Sequence, residues 1–145
     1  MTDKMFCFQC EQPAGCTGCN GNAGVCGEKA DTALLQDRLT GALIGLARAA
    51  GKNEDSVTEN TDRLVIDGLF TTITNVSFNN ETISALIDRV QAERDRLSRN
   101  CLFCASAAGE NVDYDRRSVW NAQEDIRSLK SLILFGIRGI AAYAY

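Results

Sequence analysis

The sequence of 145 residues contains no histidine, a single proline and no block of basic residues. Without histidine, a metal site in this chain has no imidazole ligand, so cysteine thiolates become the main candidate ligands. With one proline and 45% hydrophobic residues, the chain is expected to be globular rather than disordered. A net charge of −4, with acidic and basic residues interspersed, argues against a nucleic-acid-binding surface.

Long apolar runs are absent as well. The first residues, MTDKMFCF, contain no signal-peptide-like segment, which predicts a cytoplasmic location. The longest apolar segment, 131–145, is interrupted by Arg138 and is too short to span a bilayer, so no membrane association is expected. In a reducing cytoplasm, seven cysteines are a poor basis for a disulfide framework, which leaves metal binding as their leading use.

Five of the seven cysteines fall in one stretch, CFQCEQPAGCTGCNGNAGVCG, and two quartets can be drawn from it. Both contain Cys7, Cys10 and Cys19. Adding Cys16 gives the zinc-like spacing C-x2-C-x5-C-x2-C. Adding Cys26 gives C-x2-C-x8-C-x6-C, whose glycine-filled spacers suit a loop folded around an iron–sulfur cluster. Spacing alone supports zinc and iron–sulfur equally, and a chance grouping of thiols is the weakest interpretation.

The other two cysteines, Cys101 and Cys104, form a C-x2-C pair in NCLFCASAAG, near the predicted end of a helix. We interpret them as thiols without a ligand role. A redox-active dithiol is the alternative.

Apolar periodicity predicts an all-α fold, with helices over about 31–51, 62–76, 80–99 and 121–145. The segment FTTITNVSF in the second helix is rich in β-branched residues, which makes a strand the alternative there. Asn121 and Glu124 have the spacing of a capping box. The apolar residues of the four helices that share one face are Leu35, Leu39, Ala42, Leu43, Leu46 and Ala50; Ile66, Leu69, Phe70, Ile73 and Val76; Ile83, Leu86, Ile87, Val90 and Leu97; and Ile126, Leu129, Ile133, Ile137, Ile140 and Ala144.

These helices divide the chain into a Cys/Gly-rich metal-binding loop (1–30), a three-helix bundle (31–118) and the first helix of a second, truncated bundle (119–145). An internal repeat supports the division, since an offset of 94 residues aligns Leu35 with Leu129 and Leu39 with Ile133. Two similar amphipathic helices would explain the repeat equally well.

The last helix has no stop signal, so we expect the chain to be a piece of a longer protein. Its apolar stripe then has no cover within the chain. We expect it to pair with the same helix of a second copy, giving a homo-oligomer through residues 121–145, and folding back on the first bundle is the alternative.

In order along nearly the whole chain, the segments MFCFQCEQ, TGC, GVCG, LLQDRL, GLFTTITN and EDIRSLKSLILFGIRGIAAYA resemble the hybrid cluster protein family, also called prismane proteins or hydroxylamine reductases. The resemblance implies an all-helical N-terminal domain built of two three-helix bundles. It also implies that an iron–sulfur cluster is bound by the following residues, with Cys16 outside the set: Cys7, Cys10, Cys19 and Cys26.

The implied cofactor is a [4Fe-4S] cluster, with [2Fe-2S] as the alternative, because the last spacer is one residue longer than in the family's cubane form. The family's catalytic centre is a hybrid iron–sulfur–oxygen cluster bound by a histidine, glutamates and cysteines of later domains. This chain has no histidine, so we expect no catalytic residue in it and no reduction of hydroxylamine or nitric oxide by it alone.

Two functions follow as hypotheses. The first is an electron-relay domain of a hybrid cluster oxidoreductase, which exchanges electrons with a redox partner protein that the sequence does not specify. The second is a zinc-stabilised or metal-free helical module for binding or assembly. A brown protein with broad visible absorbance would favour the first, and a colourless protein with one zinc per chain would favour the second.

Overall fold

The computed structural model describes residues 5–10, 17–73, 77–99 and 113–145. Within these ranges the chain is helical and has no strand, which confirms the predicted fold class. No helix among them is long and apolar enough to cross a bilayer. The predictions for Cys16, Val76, Cys101 and Cys104 concern residues outside the described ranges. The helices are α1 (Ala30–Lys52), α2 (Glu59–Thr71), α3 (Asn80–Arg99), the single turn α4 (Arg117–Trp120) and α5 (Glu124–Ala144), with a 3-10 turn at Glu54–Ser56.

The hydrophobic core lies where α1 packs along α3, and α2 contacts both helices. The apolar faces predicted for α1 and α3 are the faces that pack together, with Leu35 and Ala50 partly buried at the margin of the core. Both helices follow a clear 3.6-residue apolar pattern, so their inner faces could be predicted from sequence. The buried residues of the core are Leu39, Ala42, Leu43, Leu46, Ala49, Leu64, Ile83, Leu86, Ile87, Val90 and Leu97.

The second helix differs from its prediction in both bounds and orientation. It begins at Glu59 rather than at 62 and ends at Thr71, so the strand alternative is wrong for the part of FTTITNVSF within it. Its N-terminus is fixed by polar contacts, since the Thr58 amide donates to Thr61 Oγ1 at 3.2 Å and Thr61 Oγ1 donates to Glu93. The residues buried on α2 are Thr61, Leu64 and Gly68, whereas Ile66, Leu69, Phe70 and Ile73 are half-buried.

The segment before α4 lies directly on α1 at Gly41. The Tyr114 amide donates to the Gly41 carbonyl oxygen at 3.1 Å. A Cβ atom at position 41 would lie 2.4 Å from the Tyr114 carbonyl oxygen, so only glycine allows this approach. The contact brings residues 113–117 over the middle of α1, beside the cysteine-containing loop.

The last helix does not begin with the predicted capping box, since α5 starts at Glu124 and its N-cap residue, Gln123, makes no side-chain cap bond. It contacts α2 and α4, and the Tyr145 ring stacks on Phe70 with centroids 4.1 Å apart. Only Arg138 and Ala141 of this helix are buried. The predicted apolar stripe faces outward, with exposed fractions between 40% and 68% at Ile126, Leu129, Ile133, Ile137 and Ile140.

Replacing Gly41 by alanine should destabilise the fold by about 1–3 kcal/mol, because the added methyl group must displace the Tyr114 backbone. Gly51 lies on the same helix with nothing within 4 Å of its Cβ position. Gly51→Ala should therefore stabilise the protein by up to about 1 kcal/mol. Urea unfolding of the two variants measures both effects, and equal midpoints would contradict the close contact at Gly41.

We also propose that the outer stripe of α5 pairs with the same stripe of a second copy. Its apolar residues follow a spacing of three and four, which is typical of a helix-pairing seam. Leaving each large side chain in water costs about 1.5–3 kcal/mol relative to burial. Light scattering should give a dimer for the 145-residue chain and a monomer for Leu129→Glu, while Ser128→Glu, beside the stripe, should remain dimeric. A monomeric wild-type chain at high concentration would contradict this proposal.

Candidate metal centre

The cysteine-containing loop is closed by a short backbone pairing. The Cys7 amide donates to the Cys19 carbonyl oxygen at 2.9 Å, and the Cys19 amide donates to the Cys7 carbonyl oxygen at 2.7 Å. Gly18 precedes Cys19 with φ of +77°, a left-handed conformation that favours glycine. A Cβ atom there would lie 2.9 Å from the Phe6 ring. The pairing therefore brings two of the predicted ligands together, although eleven residues separate them in sequence.

Cys26 lies in a tight turn that leads into α1. The Gly24 amide donates to the Glu28 carbonyl oxygen at 2.8 Å, and the Gly27 amide donates to the Gly24 carbonyl oxygen at 2.9 Å. Gly27 has φ of +87°. A Cβ atom at Gly24 would touch the Cys26 sulfur at 3.4 Å, so the absence of a side chain there keeps the backbone close to this thiol.

All four thiols of the favoured quartet are free rather than disulfide-bonded: Cys7, Cys10, Cys19 and Cys26. Cys7 is buried in a small apolar cluster with Met5 and Ala33, and the other three are half-buried. The Gln9 amide donates to the Cys7 sulfur at 3.5 Å. Within the described ranges, no three cysteine, aspartate or glutamate side chains converge closely enough to hold a metal ion by themselves.

Burial has a strong effect on the acidity of Cys7 and of its neighbour Glu28. Burial raises the pKa of the Cys7 thiol to about 12; the Gln9 amide opposes the shift and Glu28 adds to it. The thiol lies 3.4 Å from Glu28 Oε2, and burial raises the pKa of this carboxyl group as well. Without a bound metal ion, Cys7 is therefore protonated at neutral pH. A bound metal reverses this preference, since coordination deprotonates a thiol outright.

Gln9, one of the two residues between Cys7 and Cys10, is the centre of a buried polar cluster. Its carbonyl oxygen accepts a hydrogen bond from Arg138 of α5, and its side-chain oxygen accepts from both Arg116 and Arg138. Its side-chain amide donates to Asp37 of α1. Arg138 also donates to Thr40 at 3.1 Å. We call Gln9, Asp37, Arg116 and Arg138 the Gln9 cluster. It ties the loop to α1, to the start of α4 and to α5.

The two arginines keep little contact with solvent, since Arg116 is 3% and Arg138 4% exposed. Burial, followed by the neighbouring Arg116, lowers the pKa of Arg138 to about 9, which still leaves it charged at neutral pH. Asp37 and the sulfurs of Cys7 and Cys10 raise the pKa of Arg138 and so oppose this shift. Both thiols therefore lie within electrostatic range of the Arg138 guanidinium.

An aromatic group covers another side of the loop. The rings of Phe6 and Phe8 each lie 5.0 Å from the ring of Trp120, measured between centroids. The Arg116 guanidinium lies 4.2 Å from the centroid of Phe8. Sequence reasoning missed the contribution of Trp120, because α4 was not predicted.

The donor set and its surroundings fit an anionic metal–thiolate group. The four candidate ligands are all thiols, one sulfur already accepts a backbone hydrogen bond, and two buried cations lie beside the loop. Glu28 Oε1 is buried without a hydrogen-bond partner among the described residues, so this acceptor oxygen beside Cys7 still lacks a donor. One of the two buried cations could have been found from the sequence. Arg138 is the only charged residue of the apolar segment 131–145, and an isolated charge in such a segment indicates a specific role.

Comparison with known proteins finds one matching family and several longer curated relatives. The model of the Prismane/CO dehydrogenase family matches residues 5–145. The chain is 38% identical to the hydroxylamine reductase of Caldanaerobacter subterraneus subsp. tengcongensis, over 98% of its own length and 29% of that protein. It is 37% identical to the hydroxylamine reductase of Methanocella arvoryzae, over 97% of its length and 30% of that protein. The chain thus spans less than a third of these curated relatives.

The glycine at position 18 should be essential for the order of the loop. Gly18→Ala requires a side chain at positive φ and against Phe6, which should cost about 1–3 kcal/mol of local stability. Hydrogen exchange should show lost protection of the Cys7 and Cys19 amides. Gly21→Ala, where the added methyl meets only the Ala23 carbonyl at 3.7 Å, should keep that protection.

Proposed function

The chain belongs to the Prismane/CO dehydrogenase family, and from this we propose that it is the iron–sulfur, electron-relay domain of a hydroxylamine-reductase-like oxidoreductase. The observation that carries the proposal is the loop of free thiols, closed by the Cys7–Cys19 pairing and bordered by two buried arginines. Thiolates are the usual ligands of iron–sulfur clusters, and backbone amides near the sulfurs adjust the potential. A purely structural loop would not need to bury cations within electrostatic range of Cys7 and Cys10.

We assign the ligands as Cys7, Cys10, Cys19 and Cys26, and the cofactor as a [4Fe-4S] cluster, with [2Fe-2S] as the alternative. Such a cluster, when bound, accepts and releases electrons one at a time. The residues of this chain have three tasks around it. The loop cysteines hold it, the Gln9 amide donates to the Cys7 sulfur, and Phe6, Phe8 and Trp120 exclude water.

The relatives' name suggests the reaction that the relay serves. Reduction of hydroxylamine to ammonia consumes two electrons and two protons, cleaves the N–O bond and releases water. A one-electron relay must therefore deliver electrons twice in each turnover. We propose that the catalytic centre lies in the part of such a reductase that this chain does not cover, so this chain contributes no catalytic residue. The donor that supplies the electrons would be a redox partner protein.

A zinc-stabilised or metal-free helical assembly module is the second candidate. The exposed stripe on α5 favours it, because that face is suited to binding another protein surface. Thiolates also bind zinc with the same ligand atoms. An optical spectrum with iron, zinc and sulfide analysis of anaerobically purified protein separates the two. Iron with equimolar sulfide and a brown colour supports the relay, and one zinc per colourless chain supports the module.

Single serine substitutions test the ligand assignment. Changing any of the four assigned cysteines should reduce bound iron and sulfide several-fold and lower the order of the loop, because metal binding is coupled to its folding. Cys16→Ser is the matched control within the same loop, and it should keep both. Loss of iron in the Cys16 variant together with full iron in the Cys26 variant would show that the other quartet is correct.

A further inference from the structure

Two buried positive charges lie beside the cysteine loop with only one carboxylate paired to them in the described ranges. Arg116 lies 3.5 Å from Asp37, and Arg138 has no ion-pair partner there. Another buried carboxyl group, Glu28, lies 3.4 Å from the Cys7 sulfur and forms no ion pair with either arginine in the described residues. Burying a guanidinium without a counter-charge is costly, so a second anion is expected at this place.

The direction of the arginines indicates where that anion lies. Both donate to Gln9, whose backbone joins the segment of Cys7 to that of Cys10, and Arg116 also donates to the Phe8 carbonyl oxygen at 3.1 Å. Those partners are neutral. Hydrogen bonds to neutral groups leave the charge uncompensated, and the buried Nε–H groups of both arginines find no acceptor among the described residues.

We propose, on the basis of the function proposed above, that Arg116 and Arg138 are the counter-charges of the cluster held by Cys7, Cys10, Cys19 and Cys26, and that they raise its reduction potential. Four thiolates make such a group anionic, and each added electron makes it more so. A nearby positive charge therefore stabilises the reduced form more than the oxidised form. Asp37 has the opposite effect, because its carboxylate offsets Arg116.

This role differs from that of a structural clip for the loop. A clip requires only hydrogen bonds of the right length, whereas a counter-charge requires the positive charge itself. At an effective dielectric constant near 20, a unit charge within about 10 Å changes a one-electron equilibrium by at least tenfold, which corresponds to about 59 mV for a one-electron couple.

The test is a redox titration of the reconstituted 145-residue chain, followed by electron paramagnetic resonance, with iron and sulfide measured on each sample. Arg138→Met removes the charge at similar side-chain length. It should lower the reduction potential by about 59 mV or more, which is a tenfold change in the one-electron equilibrium. Arg138→Lys keeps the positive charge, so its reduction potential should stay close to that of the wild-type chain. Arg117→Met is the matched control, since Arg117 is adjacent to Arg116 but exposed and paired with Asp115, and it should leave the potential unchanged.

Asp37→Asn provides an independent measurement if Arg138→Met fails to bind iron. The asparagine oxygen can still accept from the Gln9 amide, but the negative charge is lost, so the potential should rise. A loaded Arg138→Met or Asp37→Asn variant with the wild-type potential would overturn the counter-charge proposal while leaving the relay function intact. Failure of the wild-type chain to take up iron and sulfide would overturn the relay function itself.

Discussion

The Gln9 cluster is the constraint on which the rest of the structure depends. Two buried guanidiniums are costly unless most of their N–H donors find acceptors, and most of the acceptors here are the Gln9 and Phe8 oxygens of the cysteine loop. Arg116 and Arg138 lie 107 and 129 residues from Gln9 in sequence. The cluster therefore joins the two ends of the described chain. It also sets the rotation of α5, because turning Arg138 inward turns the apolar stripe outward.

The sequence predicts those parts of the fold in which one periodic pattern decides the outcome. The helices α1 and α3 pack through their apolar stripes, so their faces were predicted correctly. In α2 the orientation is decided by two other features. Thr61 donates a hydrogen bond to Glu93, and Gly68 lets the Leu43 side chain approach the helix. Together they turn Leu64, rather than Ile66, toward the core. Neither feature has an apolar periodicity. For α5 the stripe was identified, but periodicity cannot tell what covers it.

The candidate site, like the fold, could be predicted from the sequence only in part. The spacing of cysteines and glycines identifies the loop and its candidate thiols, because ligands on one short segment are a local property. The groups that surround them come from α1, α4 and α5 and depend on long-range packing, which no local pattern records. Arg138 was recognised as a lone charge in an apolar segment. The sequence alone, however, showed only that this charge interrupts the segment and argues against a membrane span. Its partner Gln9 lies at the other end of the chain.

The two faces of α5 have opposite chemistry, and this connects assembly to the electrostatics of the site. The inner face presents Arg138 to the loop, and the outer face presents the apolar stripe to solvent. A helix is only about 10–12 Å across, so whatever covers the stripe excludes water within that distance of the arginine. A lower local dielectric constant strengthens the interaction of Arg138 with charges on the loop. Covering the outer face would therefore increase the effect of Arg138 on the thiols.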